Sequence, residues 1–259
     1  MNYLNKLVNS LNKKPLTKKQ FDDILLKNDT FFDSSELETE LLLSNGLPLF
    51  FDEKNVYLKT ANIDIKDQTF CVVDIETTAG NPKDGQIIEL GAVKIKNGHI
   101  IEQYDSLVTA NHIPKVIQEI TGITEDMVQN APNLRDVLEE FKIFLEDDVF
   151  VAHAIGFDYK FISDSFKKYD LGELCNRKLC TIDLSKRVID TQRYGLKYLK
   201  ELLNIDIDNH HRALSDAIST AHILKYCLDN IPQDIRTTED LIKFSYSDTI
   251  IGEKKVCQD

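Results

Sequence analysis

Four carboxylates and one histidine in this chain have the types and settings that could do chemistry on a phosphate ester. Carboxylates that lie close together repel one another unless a cation lies among them, and Mg²⁺ and Mn²⁺ prefer oxygen ligands. A histidine beside such a cluster could take a proton near neutral pH. The five residues are Asp74, Glu76, Asp158, His211 and Asp216. Their types predict a metal-dependent hydrolase, provided that the fold brings them together.

Asp74 and Glu76 lie two residues apart in the apolar run FCVVDIETT, which is typical of a buried strand. Since side chains alternate along a strand, both carboxylates leave one face and Ile75 leaves the other. Two neighbouring carboxylates on one face could bind a divalent cation. For this pair alone, two solvated acids at a strand end remain the alternative.

The other three candidates also have simpler explanations when each is taken alone. Asp158 follows the apolar run VFVAH and should begin a helix, where the helix dipole favours an acidic residue. His211 could be an exposed loop histidine, because His210 stands beside it. Asp216 falls within the predicted helix ALSDAISTAHIL, where an aspartate has no benefit as a cap. Asp216 is therefore the hardest of the three to explain without a site.

The net charge of −12 argues against a protein that coats nucleic acid, because such binding relies on many positive charges. It is compatible with an enzyme that holds a few nucleotides at a strand end and binds cations with some of its acids. No apolar run approaches the about 20 residues of a membrane helix, and the N-terminus lacks a signal-peptide pattern. We therefore expect no membrane association and a cytoplasmic location.

The 5 cysteines form no CxxC pair, and no zinc-binding pattern surrounds them. This pattern favours reduced thiols, as is usual in a reducing compartment. Cys71 lies in the predicted strand FCVVDIE and should belong to the core. The others are Cys175, Cys180, Cys227 and Cys257.

Three segments of different character make up the chain. Residues 1–66 have the spacing of three short helices followed by a hairpin of LPLFF and NVYLKT, which resembles a winged-helix module. Such modules bind DNA, and as often they bind protein partners. Residues 67–230 alternate strands with helices, and residues 231–259 form a short tail with one possible helix from Thr238 to about Tyr246.

The pattern of residues 67–230 predicts an α/β fold in which a mixed sheet carries helices on its faces. Strand TFCVVDIE comes first, and QIIELGAVKI and HIIEQYDSLV form a hairpin about Asn97-Gly98, a pair that favours tight turns. An amphipathic helix follows over residues 134–145, then strand VFVAH, a helix from about Asp158 and strand KLCTID. Further helices are expected at SKRVID, LKYLKELL and ALSDAISTAHILKYCL.

Three motifs over residues 68–230 together resemble the DEDD exonuclease superfamily, in its histidine-bearing (DEDDh) branch. They are D-I-E-T-T from Asp74, V-A-H-x-x-x-F-D ending at Asp158, and H-x-A-x-x-D from His211. The sister branch carries a tyrosine where this chain has Arg212, and relatives often carry Asn where this chain has Ala154. Within the family, the chain resembles the proofreading (epsilon) subunit of bacterial DNA polymerase III.

The resemblance implies an RNase H-like fold with a mixed five-stranded sheet and a phosphodiesterase site with two divalent ions, Mg²⁺ or Mn²⁺. The ions would be bound by Asp74, Glu76, Asp158 and Asp216, and His211 would act as general base. The segment ITGIT would line the nucleotide pocket. The implied substrate contacts are those of Glu76, Thr77, Thr121, Ile123, Phe157 and His211. Core packing explains Phe157 and Ile123 equally well.

The expected function is a 3′→5′ exonuclease that releases nucleoside 5′-monophosphates from single-stranded DNA, in proofreading beside a replicative polymerase catalytic subunit. The first alternative is a free-standing DNA-repair or RNA-trimming exonuclease of the same family. The second is a binding module that has lost catalysis, which the presence of all five site residues argues against. A further possibility is that residues 1–66 recruit the nuclease to a partner or to DNA.

Overall fold

The computed structural model describes residues 2–27, 34–207 and 211–250. Its N-terminal part packs three helices against a small antiparallel sheet of order β1-β3-β2. The elements are α1 (Asn2–Lys13), β1 (Leu16–Thr17), α2 (Lys18–Leu26), α3 (Ser35–Ser44), β2 (Leu49–Phe51) and β3 (Asn55–Leu58). The three helices and the hairpin agree with the sequence pattern. Strand β1 was not predicted, because two residues carry no periodic signal.

A five-stranded sheet of order β6-β5-β4-β7-β8 forms the larger part of the structure. Its strands are β4 (Thr69–Thr77), β5 (Ile87–Lys96), β6 (His99–Leu107), β7 (Val149–Ala152) and β8 (Lys178–Cys180). The β4–β5 and β5–β6 pairs are antiparallel, whereas β4–β7 and β7–β8 are parallel. The predicted mixed sheet and the hairpin about Asn97-Gly98 are confirmed.

Helices cover both faces of this sheet and connect its strands. They are α4 (Lys59–Asn62), α5 (Lys115–Thr121), α6 (Glu125–Val128), α7 (Leu134–Leu145), α8 (Ile155–Lys168), α9 (Thr181–Val188), α10 (Leu196–Leu202), α11 (Ala213–Asp229) and α12 (Thr238–Ser245). The helix predicted from Thr238 is present, and α7 has the predicted bounds. None of the helices in residues 2–27, 34–207 and 211–250 is long and apolar enough to cross a membrane.

Some element boundaries differ from the sequence prediction, and two short helices after β6 were not predicted. Strand β8 ends at Cys180 and Thr181 begins α9, with the Thr181 side chain buried. Helix α8 begins at Ile155, three residues before the predicted start. The short helices α5 and α6 were missed, since too few residues form them to show a periodic apolar face.

Alternate residues of β4 belong to two separate cores, which explains why Phe70 to Val73 are all apolar. Phe70 and Val72 pack with helices α9 to α12 on one face. Cys71, Val73 and Ile75 pack with α7 and α8 on the other. The four cysteines in the described residues are buried and free, as expected, and Cys257 lies outside the described residues.

The N-terminal part contacts the end of the large sheet at which the parallel strands β7 and β8 begin. Glu239 of α12 joins three segments there: it pairs with Arg177 at 2.6 and 2.8 Å, and accepts hydrogen bonds from Thr60 at 2.8 Å and Asn12 at 3.3 Å. The Cys175 backbone N–H donates to the Asn45 carbonyl at 2.7 Å. Residues that follow the carboxyl ends of β4 and β7 lie at the opposite end of the sheet.

Candidate active site

Asp74 and Glu76 lie in the last part of β4, on the face of the sheet that α11 covers. Both are partly buried, and Ile75 between them packs in the core of the opposite face. Asp74 lies opposite Gly91 of β5, and Glu76 lies opposite Glu89. The strand therefore presents the two carboxylates side by side, as the D-x-E spacing predicted.

Asp158 reaches the same place from α8. It lies in the first turn of that helix and is buried, with 4% of its surface exposed. Its carboxylate accepts a hydrogen bond from the backbone N–H of Ile75, which holds it against β4. Ala154, which precedes α8, has a left-handed backbone with φ of 68°. This turn directs the first turn of the helix to the strand end.

His211 and Asp216 come from the approach to α11 and from its first turn. The backbone N–H of exposed His211, which has a φ of 63°, donates a hydrogen bond to Asp216 Oδ2 at 3.1 Å. Asp216 is buried, with 7% of its surface exposed. Helix α11 begins at Ala213, as predicted, but the expectation that Asp216 gives no local benefit there is wrong, because its carboxylate in the first turn accepts the N–H that precedes the helix.

All five predicted residues line one cavity of about 400 Å³ at this end of the sheet. The ligand atoms of Glu76, His211 and Asp216 lie within 4.8 Å of one another, close enough to share one cation. The cavity lining comprises Asp74, Ile75, Glu76, His153, Ala154, Phe157, Asp158, Leu196, Lys197, His211 and Asp216. The fold thus brings together residues that are far apart in the sequence.

The carboxylates of this cluster hold protons more tightly than ordinary acids. Burial, followed by the charge of Glu89, raises the pKa of Glu76 to about 7, and burial raises the pKa of Asp158 to about 7. Burial and the charges of Asp158 and Asp216 raise the pKa of Asp74 well above its usual range. A divalent cation would replace these protons and remove the repulsion, so the donor set of carboxylate oxygens fits such an ion.

His153 lines the cavity in a fixed orientation. Its Nε2 lies 2.8 Å from the Tyr194 carbonyl and its Nδ1 lies 2.9 Å from the Thr181 hydroxyl. Burial lowers the pKa of His153 to about 4, so the ring is neutral at pH 7. A neutral ring that donates from Nε2 to a carbonyl accepts at Nδ1. His153 therefore joins the loop before α10 to the start of α9 and gives the cavity a rigid wall.

The predicted substrate contacts divide into those at the cavity and those away from it. Phe157 lines the cavity and is 39% exposed, so its ring is accessible. Thr77 is buried, and its hydroxyl donates to the Ala79 carbonyl at 2.9 Å. Thr121 and Ile123 are buried and are not among the cavity lining; the Thr121 hydroxyl bonds the Ile117 carbonyl at 2.9 Å. Their roles stay predictions, and for Ile123 the core-packing alternative agrees with its burial.

Sequence reasoning missed the roles in the site of His153, Lys197, Glu89 and Arg212. Lys197 carries a positive charge on the rim of an otherwise acidic cavity, and nothing in its local sequence marks it. Glu89 did carry a signal. It stands inside the apolar strand IIELGAV, and a charged residue buried in such a strand must have a partner.

Comparison with known proteins defines the class. Residues 71–224 match the RNase T exonuclease family. This match covers more than half of the chain and contains all five candidate residues. The chain belongs to this exonuclease family, and the prediction of a DEDDh exonuclease with an RNase H-like α/β fold is confirmed.

The similar proteins include bacterial polymerases. The chain is 37% identical to the PolC-type DNA polymerase III of Halalkalibacterium halodurans over 185 residues, and 36% identical to that of Staphylococcus haemolyticus over 186 residues. These matches cover 71% of this chain but 12% of each relative. The matched part of the chain thus spans about one eighth of the length of these curated relatives.

Solved structures show the same fold. Exonuclease X in complex with 5′-overhanging duplex DNA has a TM-score of 0.55 and 25% identity, covering 68% of this chain and 99% of that one. Exonuclease I of E. coli in complex with a dA16 oligonucleotide has a TM-score of 0.58 and 15% identity, covering 64% of this chain and 42% of that one. The second likeness concerns the fold alone.

Proposed function

We propose that this protein is a metal-dependent 3′→5′ exonuclease that removes nucleoside 5′-monophosphates from single-stranded DNA ends. The observation that carries the proposal is the meeting of four carboxylates and His211 around one cavity. Each residue comes from one of the three motifs typical of the family. A shared cation explains why four carboxylates lie so close together, because it offsets the repulsion between them.

Asp74, Glu76, Asp158 and Asp216 would hold two divalent ions, Mg²⁺ or Mn²⁺. Such ions, when bound, lower the pKa of a water and neutralise charge that develops on the phosphate. The hydrogen bond from Ile75 orients the carboxylate of Asp158. The contact with the His211 backbone orients that of Asp216.

His211 would act as the general base that takes the proton of the attacking water. Its imidazole is exposed, so water and substrate can reach it. Its backbone is fixed by Asp216 at 3.1 Å, which keeps the ring beside the carboxylates. A positioned base of this kind contributes about 10²–10⁴-fold to a rate.

The cavity size and the charge of the chain favour action at an end rather than along a duplex. A cavity of about 400 Å³ suits one terminal nucleotide, because it lies in the lower part of the usual range for ligand pockets. Phe157 offers an accessible aromatic face on which a terminal base could stack. Lys197 is placed to meet a phosphate of the same strand.

Proofreading beside a replicative polymerase is the proposed setting, since the similar PolC-type proteins are polymerases. A free-standing DNA-repair or RNA-trimming exonuclease is the second candidate. The match that covers 99% of the solved exonuclease X chain favours it, because that chain was solved in complex with DNA and has the same fold. A cytoplasmic location agrees with either setting.

We also propose that residues 1–66 are a winged-helix-like module, residues 67–230 the nuclease domain and residues 231–259 a tail. The module lies at the far end of the sheet from the cavity, so its role would be attachment to a partner or to DNA rather than contact with the reacting bond. Deletion of residues 1–66 would uncover Glu239 and Cys175. Substitution of exposed residues such as Phe50 and Phe51 is therefore the cleaner test of attachment.

The function is tested with matched single-stranded DNA and RNA labelled at the 5′ end. The proposal predicts a ladder that shortens from the 3′ end with Mg²⁺ or Mn²⁺ and not with EDTA. A higher rate on DNA supports proofreading or repair, and a higher rate on RNA moves the assignment to RNA trimming. No cleavage by the purified chain, alone or with a polymerase catalytic subunit added, would contradict the proposal.

A further inference from the structure

The segment that carries His211 is hydrogen-bonded to the sheet through the carboxylate of Glu89, which is buried and does not line the cavity. Glu89 of β5 is 1% exposed, and its Oε1 accepts two hydrogen bonds from the Arg212 guanidinium, at 2.9 Å from Nε and 2.6 Å from Nη2. Its Oε2 accepts the backbone N–H of Ala213 at 2.9 Å. One carboxylate thus binds both the residue after His211 and the first residue of α11.

A second contact brings the start of α11 unusually close to β5. Gly91 lies two residues after Glu89, and a Cβ atom added to it would lie 2.1 Å from the backbone nitrogen of Leu214 and 2.3 Å from the Ala213 carbonyl carbon. Only glycine leaves room for the helix backbone at this distance. Because Gly91 also lies opposite Asp74, this approach brings the first turn of α11 over the carboxylate of Asp74.

We propose that Glu89, acting through Arg212, is a positioning residue that fixes His211 and Asp216 relative to the carboxylates of β4. This inference rests on the proposed function, since it assigns the reaction to that site. His211 has a left-handed backbone, so this segment needs stabilising contacts such as those of Glu89 with Arg212 and Ala213. A non-glycine residue holds this conformation only where its surroundings impose it.

The chain offers a matched control at the other end of the sheet. Arg177 and Glu239 form a second pair with a two-pronged geometry, at 2.6 and 2.8 Å, and the Glu239 side chain is 3% exposed. In each pair the carboxylate is buried and the guanidinium is partly exposed, so replacement of either glutamate should cost similar stability. The Arg177–Glu239 pair lies far from the cavity, whereas the Arg212–Glu89 pair lies beside His211.

The experiment compares Glu89→Gln with Glu239→Gln in the full chain, with the rate expressed per folded molecule. We expect Glu89→Gln to lower kcat by about 10–100-fold, the usual effect of disturbing groups that orient metal ligands. The KM for single-stranded DNA should change by less than about threefold, because Glu89 does not line the cavity. Arg212→Lys, which keeps a cationic donor, should retain more activity than Arg212→Gln. Glu239→Gln should keep the parent kcat.

An NMR measurement that needs neither metal nor turnover tests the positioning role of Glu89 separately from the proposed exonuclease activity. The imidazole NMR signal of His211, assigned by its loss in His211→Ala, should shift in Glu89→Gln and stay unchanged in Glu239→Gln. If the parent protein proves inactive, the proposed function fails, whereas this signal still tests the positioning. The inference is overturned if Glu89→Gln keeps the parent kcat and the His211 signal, or if Glu239→Gln loses as much. If Glu89→Gln does not fold, Arg212→Gln against Arg212→Lys gives the same comparison.

Discussion

Glu76 and Glu89 lie directly opposite each other in the antiparallel pair β4–β5, yet their carboxylates serve different purposes. Glu76 lines the cavity, whereas Glu89 is buried and bound to Arg212. The guanidinium thus binds one of two adjacent acids, whose charge still raises the pKa of Glu76, and leaves Glu76 available to a cation. This division also places Arg212 outside the cavity, at the position where the sister branch of the superfamily carries its tyrosine.

The stability of the metal-free protein should fall as the pH rises towards neutral. Glu76 and Asp158 have pKa values raised to about 7 in the folded protein, whereas their pKa values in an unfolded chain are about 4. The folded state therefore binds more protons, and the stability that this contributes is present at low pH and lost as the pH rises through about 7. Thermal unfolding in EDTA should show a lower Tm at about pH 8 than at about pH 5.5.

Asp74→Asn is the matched variant for this measurement, because it removes one of the repelling charges. Its Tm in EDTA should depend less on pH than that of the parent. Added Mn²⁺ should raise the Tm of the parent more at the higher pH, since ions and protons compete for the same oxygens. A parent Tm that rises over this pH range would contradict the assigned pKa directions.

Replacement of His211 by alanine should slow cleavage by about 10²–10⁴-fold, because a general base is lost. Binding of Mn²⁺, measured by calorimetry, should be largely retained, since the four carboxylates remain. His222→Ala is the control, as His222 is an exposed histidine of α11 outside the cavity lining. Equal rates for His211→Ala and His222→Ala would remove His211 from the mechanism.

Lys197→Ala should weaken the binding of single-stranded DNA. A lysine that neutralises one phosphate contributes about 0.7 to the slope of log affinity against log salt for single strands. The slope should therefore decrease by about that amount, with kcat at saturating DNA little changed. Lys6→Ala, at an exposed position of α1, is the control for net charge. An unchanged salt dependence in Lys197→Ala would show that the ammonium group makes no phosphate contact.

Ala154→Asn should stabilise the protein by about 1 kcal/mol, which corresponds to a rise in Tm of about 2–4 °C for a chain of this size. Ala154 has a left-handed backbone, a conformation that asparagine tolerates better than alanine, and relatives often carry asparagine there. Ala154→Val should destabilise, because a β-branched residue is poorly accommodated at positive φ. If both variants changed the Tm in the same direction, the backbone argument would be wrong.

The elements that position the site could be predicted from the sequence where their patterns are regular. Because side chains alternate along β4, the sequence predicted that Asp74 and Glu76 share one face. The spacing of apolar residues predicted the bounds of α7. Contacts between distant segments leave no such pattern. The start of α11 at Ala213 was predicted, but the contacts of Arg212 with Glu89 and of Asp216 with the His211 N–H were not, because they join segments outside the helical pattern.

The same limit applies to Thr121 and Ile123. Their motif suggested a pocket wall, but sequence alone does not distinguish an apolar residue that faces a substrate from one that faces a core. Ile123 packs with Ile88, Ile113 and Val128. The contact of the N-terminal part with Glu239 could not be predicted either. The partners of Glu239, which are Asn12, Thr60 and Arg177, are polar residues with no distinctive sequence pattern.

The central claim is that the acids around one cavity make this chain a metal-dependent exonuclease. The most direct test follows 5′-labelled single-stranded DNA with the parent and with Asp216→Asn, each with Mn²⁺ or with EDTA. We predict a ladder that shortens from the 3′ end only for the parent with Mn²⁺, while Asp216→Asn stays folded and inactive. Cleavage that persists in EDTA, or an Asp216→Asn variant as fast as the parent, would contradict the account.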